Sequence, residues 1–169
     1  METLLLTKPK LMSENLSSIV LLDSITLAAL ETDTQLAVDR VMMKTYKSDK
    51  LNLACKYTVG SAESSNVAEI KLWGYIGTLP GGSSHPYAST NDVAIAADED
   101  NWIQLGTHLT TAGDALFVPT VFKIAGAASG TTYPASFLTD IAVARIRVSA
   151  LETGVSSVFG TLTVVGIAK

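Results

Sequence analysis

Few side chains in this sequence could do chemistry, and their spacing favours structural roles. His85 follows a glycine- and serine-rich turn, so we interpret it as a solvated loop residue rather than a metal ligand. His108 stands beside Thr107 and Thr110 on a predicted strand and is interpreted as a surface or interface residue. The one cysteine, Cys55, falls on the apolar side of another predicted strand, which is typical of a small buried side chain. A single cysteine excludes an internal disulfide and a thiolate metal cage.

An acidic run at 98–101, with Asp92 upstream, is the best candidate for a metal site. Hard cations such as Ca²⁺ need several oxygen ligands from a tight loop. The run lacks the glycine and the distal glutamate of an EF-hand loop, so a solvated loop is the favoured interpretation. A second motif at 77–82 has the outer glycine spacing of a phosphate-binding loop, but Ser83 stands where that loop needs lysine. We therefore expect no catalytic residue, no cofactor, no metal and no enzymatic activity.

Two sets of side chains are candidates for binding a partner. Arg145 and Arg147 share one face of a predicted strand. They either lie on a solvated face or anchor an interface by binding the carboxylates of a partner. Trp73, Tyr75 and Trp102 either form a flat platform on which a sugar ring stacks or pack against a second sheet, and packing is favoured. Both pairs of alternatives remain open at this point.

The elements that must position these side chains are β-strands, because apolar residues recur at every second position. Clear strands are predicted at 51–59, 68–76, 142–150 and 159–168. Weaker strands are predicted at 18–22, 25–30, 35–38, 102–109 and 116–124, the last with Pro119 at an edge or a bulge. Turns are predicted at 79–86 and 126–134, and a short helix at 91–97 or 136–140.

About 8–9 short strands with turns at regular spacing predict an all-β fold, an antiparallel β-sandwich that is jelly-roll-like or barrel-like. The 169 residues suffice for one domain with a proper core. Residues 1–15 show no period and contain Pro9, so they are predicted to form an extended N-terminal arm. Its candidate interface residues are Leu4, Leu5 and Leu6. Residues 16–169 are predicted to form a single β-sandwich domain.

The composition indicates a surface that is partly buried against other chains. Charged residues make up 17% of the chain, against a usual fraction of about 25%, while hydrophobic residues make up 47%. The net charge of −4 disfavours nucleic acid as a partner. The apolar start is too short for a secretory signal, and the longest apolar stretch, at 19–30, is too short to span a membrane. We therefore expect a soluble, non-secreted protein without a membrane or nucleic-acid partner.

The last part of the chain, about 70 residues, resembles small virion proteins of tailed bacteriophages, among them capsid decoration (cement) proteins and head or neck accessory proteins. The resemblance is one of overall residue pattern. It is carried by DNWIQLGT at 100–107, by ARIRVSA at 144–150, by Gly154 and by TLTV at 161–164.

This resemblance implies β-sandwich or barrel subunits that sit on the capsid lattice, strengthen it and often clasp their neighbours with a terminal arm. It implies that the chain is a structural virion protein, made in the host cytoplasm and located in the virion. The partners it implies are further copies of the chain, as a homotrimer, and the major capsid protein or other virion proteins. The alternative is a carbohydrate-binding or receptor-binding β-sandwich module that uses Trp73, Tyr75 and Trp102.

Overall fold

A computed structural model describes residues 17–30, 42–45, 48–63, 65–76, 99–111, 114–143, 145–155 and 157–169; for 17, 99, 107–111 and 114–118 it describes the backbone alone. Its strands are β1 (Ser17–Thr26), β2 (Met43–Lys44), β3 (Lys50–Thr58), β4 (Val67–Tyr75), β5 (Trp102–Gln104), β6 (Gly106–Thr111), β7 (Asp114–Pro119), β8 (Val121–Ala125), β9 (Thr132–Asp140), β10 (Arg145–Thr153) and β11 (Thr161–Ala168). A single 3₁₀ turn, Glu99–Asn101, is the helical element of these residues. None of the described helical residues forms a helix that is long and apolar enough to cross a membrane.

The strands form two antiparallel sheets. The four-stranded sheet has the order β1-β11-β3-β9. The five-stranded sheet has the order β2-β10-β4-β5, and β8 also pairs with β4. Strands β6 and β7 form a separate hairpin. The prediction of an all-β antiparallel sandwich is therefore confirmed, with nine strands in its two sheets.

The core lies between the two sheets and follows from the period-two pattern of the sequence. Most inward positions of the long strands are apolar, so that pairing the strands collects these side chains on one side of each sheet. The four-stranded sheet contributes Leu51, Leu53, Tyr57, Leu162 and Val164, and the five-stranded sheet contributes Ala68, Ile70, Leu72, Ile146 and Val148. At one side of the sandwich, Phe122 of β8 stacks on Phe137 of β9, with ring centroids 4.9 Å apart.

The helix predicted at 136–140 is wrong, because these residues belong to β9. Their alternation is hard to detect in the sequence, since Leu138 points outward and Pro134 interrupts the run. The structure accommodates Pro134 because β9 pairs only with β3 among the described strands and therefore lies at an edge. The inward positions of β9 are half-buried and include Tyr133, Ala135 and Phe137.

Other sequence-derived boundaries shift by a few residues. The segments predicted as strands at 102–109 and 116–124 each divide into two strands, β5 with β6 and β7 with β8. Pro119 is the last residue of β7. Of the strand predicted at 25–30, residues 25–26 are the end of β1 and residues 27–30 are not in a strand. The predicted arm at 1–15 with Leu4, Leu5 and Leu6 lies outside the described residues, as do the segments at 35–38, 79–86 and 91–97.

Candidate functional site

The outer face of the four-stranded sheet is the candidate site; we call it the open face. Its side chains alternate with those of the core, so they point away from the second sheet. Leu138 is 73% exposed and Val20 is 44% exposed. A face that only meets water usually carries polar residues at these positions. In β11 the outward side chains of Val165 and Ile167 are apolar. The inward side chains of the same strand, Leu162 and Val164, are apolar as well, so β11 is apolar on both faces.

The register of the strands divides the open face into five rows that run across the sheet. Row 1 consists of Lys169, Lys50 and Asp140. Row 2 consists of Ser18, Ile167, Asn52 and Leu138. Row 3, the central row, consists of Val20, Val165, Ala54 and Ser136. Row 4 consists of Thr163, Lys56 and Pro134. Row 5 consists of Thr26, Thr161, Thr58 and Thr132.

Two shallow grooves lie on the open face. The first has a volume of about 300 Å³ and is lined mainly by row 3 and row 4, including Ala54, Pro134 and Val165. The second has a volume of about 340 Å³ and is lined by row 1 and row 2, with Leu138 and Ile167 as its apolar walls. Both grooves suit apolar side chains of a partner better than a polar small molecule.

The open face has polar groups at both ends and some in its inner rows, where the Ser136 hydroxyl donates a hydrogen bond to the Asn52 side chain at 2.7 Å and Lys56 lies in row 4. In row 1, Lys50 forms an exposed ion pair with Asp140. The hydrogen bond and the charge of Asp140 raise the pKa of the Lys50 ammonium. In row 5, the hydroxyl oxygens of Thr58 and Thr132 are 2.7 Å apart and share a hydrogen bond. The face therefore has a mostly apolar centre, a charged end and a hydroxyl end.

The aromatic residues predicted as a sugar platform do come together, on the outer face of the five-stranded sheet, but they pack against each other. Tyr75 and Trp102 are each 5% exposed, and their ring centroids are 5.4 Å apart. The indole N–H of Trp73 donates a hydrogen bond to Ser149 at 2.8 Å. The rings therefore pack against one another on this outer face rather than against a second sheet, and the rings of Tyr75 and Trp102, at 5% exposure, leave no open surface for a sugar to stack on.

Arg145 and Arg147 are also buried in the chain itself, at 0% and 4% exposure. The guanidinium carbon of Arg147 lies 4.3 Å from the centroid of Trp102, which is the geometry of a cation–π contact. Neither the solvated face nor the pair of interface anchors describes these two residues. For Arg147 the correction has a physical reason, because β5 brings Trp102 over the guanidinium group of this residue.

A buried carboxyl group was missed by the sequence analysis. Glu152 of β10 is 1% exposed and occupies an inward position beside the apolar core. It accepts hydrogen bonds from the Tyr57 hydroxyl, from the Gly160 N–H at 2.5 Å and from the Asn66 side-chain amide at 3.5 Å. Asn66 in turn donates to the Ser61 carbonyl at 2.7 Å. The network links the two sheets, so we assign it a structural role. The sequence signal that could have identified it is the position of Glu152, which falls on the inward side of the alternation in β10.

Cys55 is buried as predicted, at 3% exposure, and burial raises the pKa of its thiol to about 12. Between the ordinary value of 9.0 and the raised value, the unfolded chain loses this proton while the folded chain keeps it. The contribution of the protonated Cys55 thiol to folding stability is therefore fully present below pH 9 and is lost as the pH rises toward 12. Cys55 contributes a decrease of up to about 1.4 kcal/mol per pH unit in this range.

Urea unfolding at pH values from 8 to about 11 measures this decrease. The Cys55→Ala variant removes the thiol and is expected to lose stability less steeply with pH than the wild type, whatever its stability at pH 8. The other groups that titrate in this range are the same in both chains, including Tyr57, whose pKa is also raised by burial and by Glu152. Parallel curves for the two chains would show that the buried thiol contributes no pH dependence.

The residues considered for metal binding give no described site. His85, Asp92 and Asp98 lie outside the described residues, and so does the side chain of His108. Of the acidic run, Glu99–Asn101 forms the 3₁₀ turn that precedes β5. Within the part of the chain that the structure describes, no three His, Cys, Asp or Glu residues are grouped closely enough to hold a metal ion.

Comparison of the chain with protein-family models, with curated proteins and with solved structures gives no match. Its function is therefore proposed from its own sequence and surface.

Proposed function

We propose that this protein is a structural, non-enzymatic component of a virion, which self-associates and docks on a phage capsid lattice as a decoration or cement protein. The observation that carries the self-association is the open face, with its apolar centre and its two apolar grooves. The virion assignment is supported by the resemblance of the last part of the chain to small virion proteins of tailed bacteriophages.

The pattern of β11 is the strongest support for assembly. This central strand is apolar on both faces over Val164, Val165 and Ile167. Strands of this kind are typical of sheets that are covered on both sides. The core covers one side of β11, and we assign the cover of the other side to a partner. A low fraction of charged residues, 17%, is consistent with a surface that is buried on assembly.

A decoration protein needs no catalytic group, because it acts by mass action. Subunits that bind the assembled lattice and not its separated components shift the equilibrium toward the lattice. Contacts that are individually weak become effective when they are repeated over many linked copies. A rigid sandwich with a buried hydrogen-bond network around Glu152 suits this role.

Quantitative mass spectrometry of purified phage particles tests the proposal. Particles produced from the genome that encodes the chain are separated on a density gradient, and peptides of the chain are measured against those of the major capsid protein. We expect the chain in the particles at a copy number that is a simple fraction of that of the major capsid protein. A constant amount of only a few copies would assign it to the neck or tail and overturn capsid decoration, and its absence would overturn the virion role.

A further inference from the structure

The open face has the pattern of a surface that pairs with itself. Row 3 is uncharged and lies in the centre, with two rows on either side of it. The protruding side chain of Leu138 belongs to row 2, and the groove beside Pro134 belongs to row 4, on the same strand. The protrusion and the groove are thus placed symmetrically about Ser136. Surfaces with this symmetry are what an isologous two-fold interface requires.

We infer that two copies of this chain pair through their open faces, around a two-fold axis that runs along row 3, across the strands. This inference specifies the self-association in the proposed function and rests on it. The rotation places row 2 of one copy over row 4 of the other and row 1 over row 5. Leu138 then meets the groove beside Pro134, and Val165 meets Val165. Packed sheets are separated by about 10 Å, which lets side chains of this size interdigitate.

The positions of the charged side chains also favour an axis along row 3 over an axis parallel to the strands. With the axis along row 3, the ammonium groups of row 1 lie over the threonine hydroxyls of row 5, and Lys56 lies over Asn52. A two-fold axis parallel to the strands instead places Lys50 over Lys169, two like charges in a partly desolvated interface. Like charges that face each other across an interface oppose association. The first arrangement avoids them and leaves the charged end at the rim.

The size of the face is sufficient for a specific pair. Four strands about 4.8 Å apart, carrying five rows about 6.6 Å apart, cover roughly 600 Å² per copy. The pair therefore buries roughly 1,200 Å², which is at the lower end of specific protein interfaces. This size fits a subunit contact that is reinforced when further contacts form on a lattice.

Sedimentation velocity of the full chain over a range of concentrations tests the pairing. The wild type is expected at twice its mass of 17.8 kDa. Val165→Glu and Val165→Lys each place two like charges together across the axis, so each alone is expected to weaken pairing by about 100-fold or more. Val158→Glu is the matched control, because Val158 is 58% exposed and lies outside the open face. This control is expected to pair like the wild type.

An equimolar mixture of Val165→Glu and Val165→Lys makes the test specific for the axis. Opposite charges then meet, so the species of doubled mass is expected to return; the circular dichroism of each variant checks its fold. A wild type that is monomeric or trimeric, an unchanged mass of Val165→Glu, or a mixture that stays monomeric would each overturn the inference. If the wild type is monomeric, residues 1–16 or a capsid protein remain as candidates for covering the open face.

The two experiments distinguish a failure of the two-fold contact from a failure of the virion role. A chain that is present in particles and does not pair in solution contradicts the two-fold contact alone. A chain that pairs in solution and is absent from particles contradicts the virion role alone.

Discussion

Replacing Glu152 by alanine is expected to lower the free energy of unfolding by about 4 kcal/mol. The substitution leaves the Tyr57 hydroxyl, the Gly160 N–H and the Asn66 amide without their common acceptor in a site that water does not reach. Each buried donor without a partner costs about 1–3 kcal/mol, and the vacated volume adds to this cost. Urea unfolding at pH 7, followed by circular dichroism, measures the change.

Two further variants separate the network from the loss of a charge. Glu152→Gln keeps one carbonyl oxygen in the same shape, so about half of the loss is expected. Glu69→Ala removes the half-buried partner of the exposed Lys123, whose ammonium lies 2.7 Å from the carboxylate, and a loss of about 1 kcal/mol or less is expected. If Glu152→Ala costs no more than Glu69→Ala, the buried network does not hold the sheets together.

A double-mutant cycle with Tyr57→Phe shows which contact carries the effect. The phenol hydroxyl is the closest donor to Glu152, so the two substitutions are expected to be strongly non-additive. Additive losses would mean that the carboxyl group acts through Gly160 and Asn66 alone.

The alternation of the sequence was sufficient to predict the fold class and, for β3, β4, β10 and β11, the strands and their faces, but it did not predict β9, where a helix was expected at 136–140. It placed Ile146, Val148 and Ala150 in the core and Arg145 and Arg147 on the opposite side of β10, as the structure does. It could not predict that this opposite side is covered. That depends on Trp102, which a distant strand brings into contact with Arg147.

The buried network was beyond the sequence for the same reason. Tyr57 and Asn66 are separated from Glu152 by 95 and 86 positions, so no local spacing links them. The open face is a similar case. The two apolar faces of β11 are visible in its own sequence, but the apolar centre arises because the order β1-β11-β3-β9 brings Val20, Val165 and Ala54 into one row.

Replacing Gly154 by alanine is expected to destabilise the protein by about 4 kcal/mol or more, through a backbone clash. Gly154 follows the end of β10 with a φ of +77°, a left-handed conformation that L-residues rarely adopt. A Cβ atom at this position would overlap the Ser65 carbonyl oxygen and lie 2.6 Å from the carbonyl carbon. Ser65 belongs to the segment that leads into β4, so relieving the clash requires the turn after β10 to move away from it.

Gly130 supplies the matched control for this substitution. Its φ is +69°, and nothing lies within 4 Å of the position that a Cβ atom would take. Gly130→Ala therefore imposes the same backbone strain without the clash, at an expected cost of about 1–2 kcal/mol. Thermal or urea unfolding of the two variants gives the difference directly. Equal losses would mean that left-handed strain alone acts at both turns. A much larger loss at Gly154 would show that the close approach of the turn to Ser65 determines where β10 ends. This end lies one residue after Glu152, the centre of the buried hydrogen-bond network.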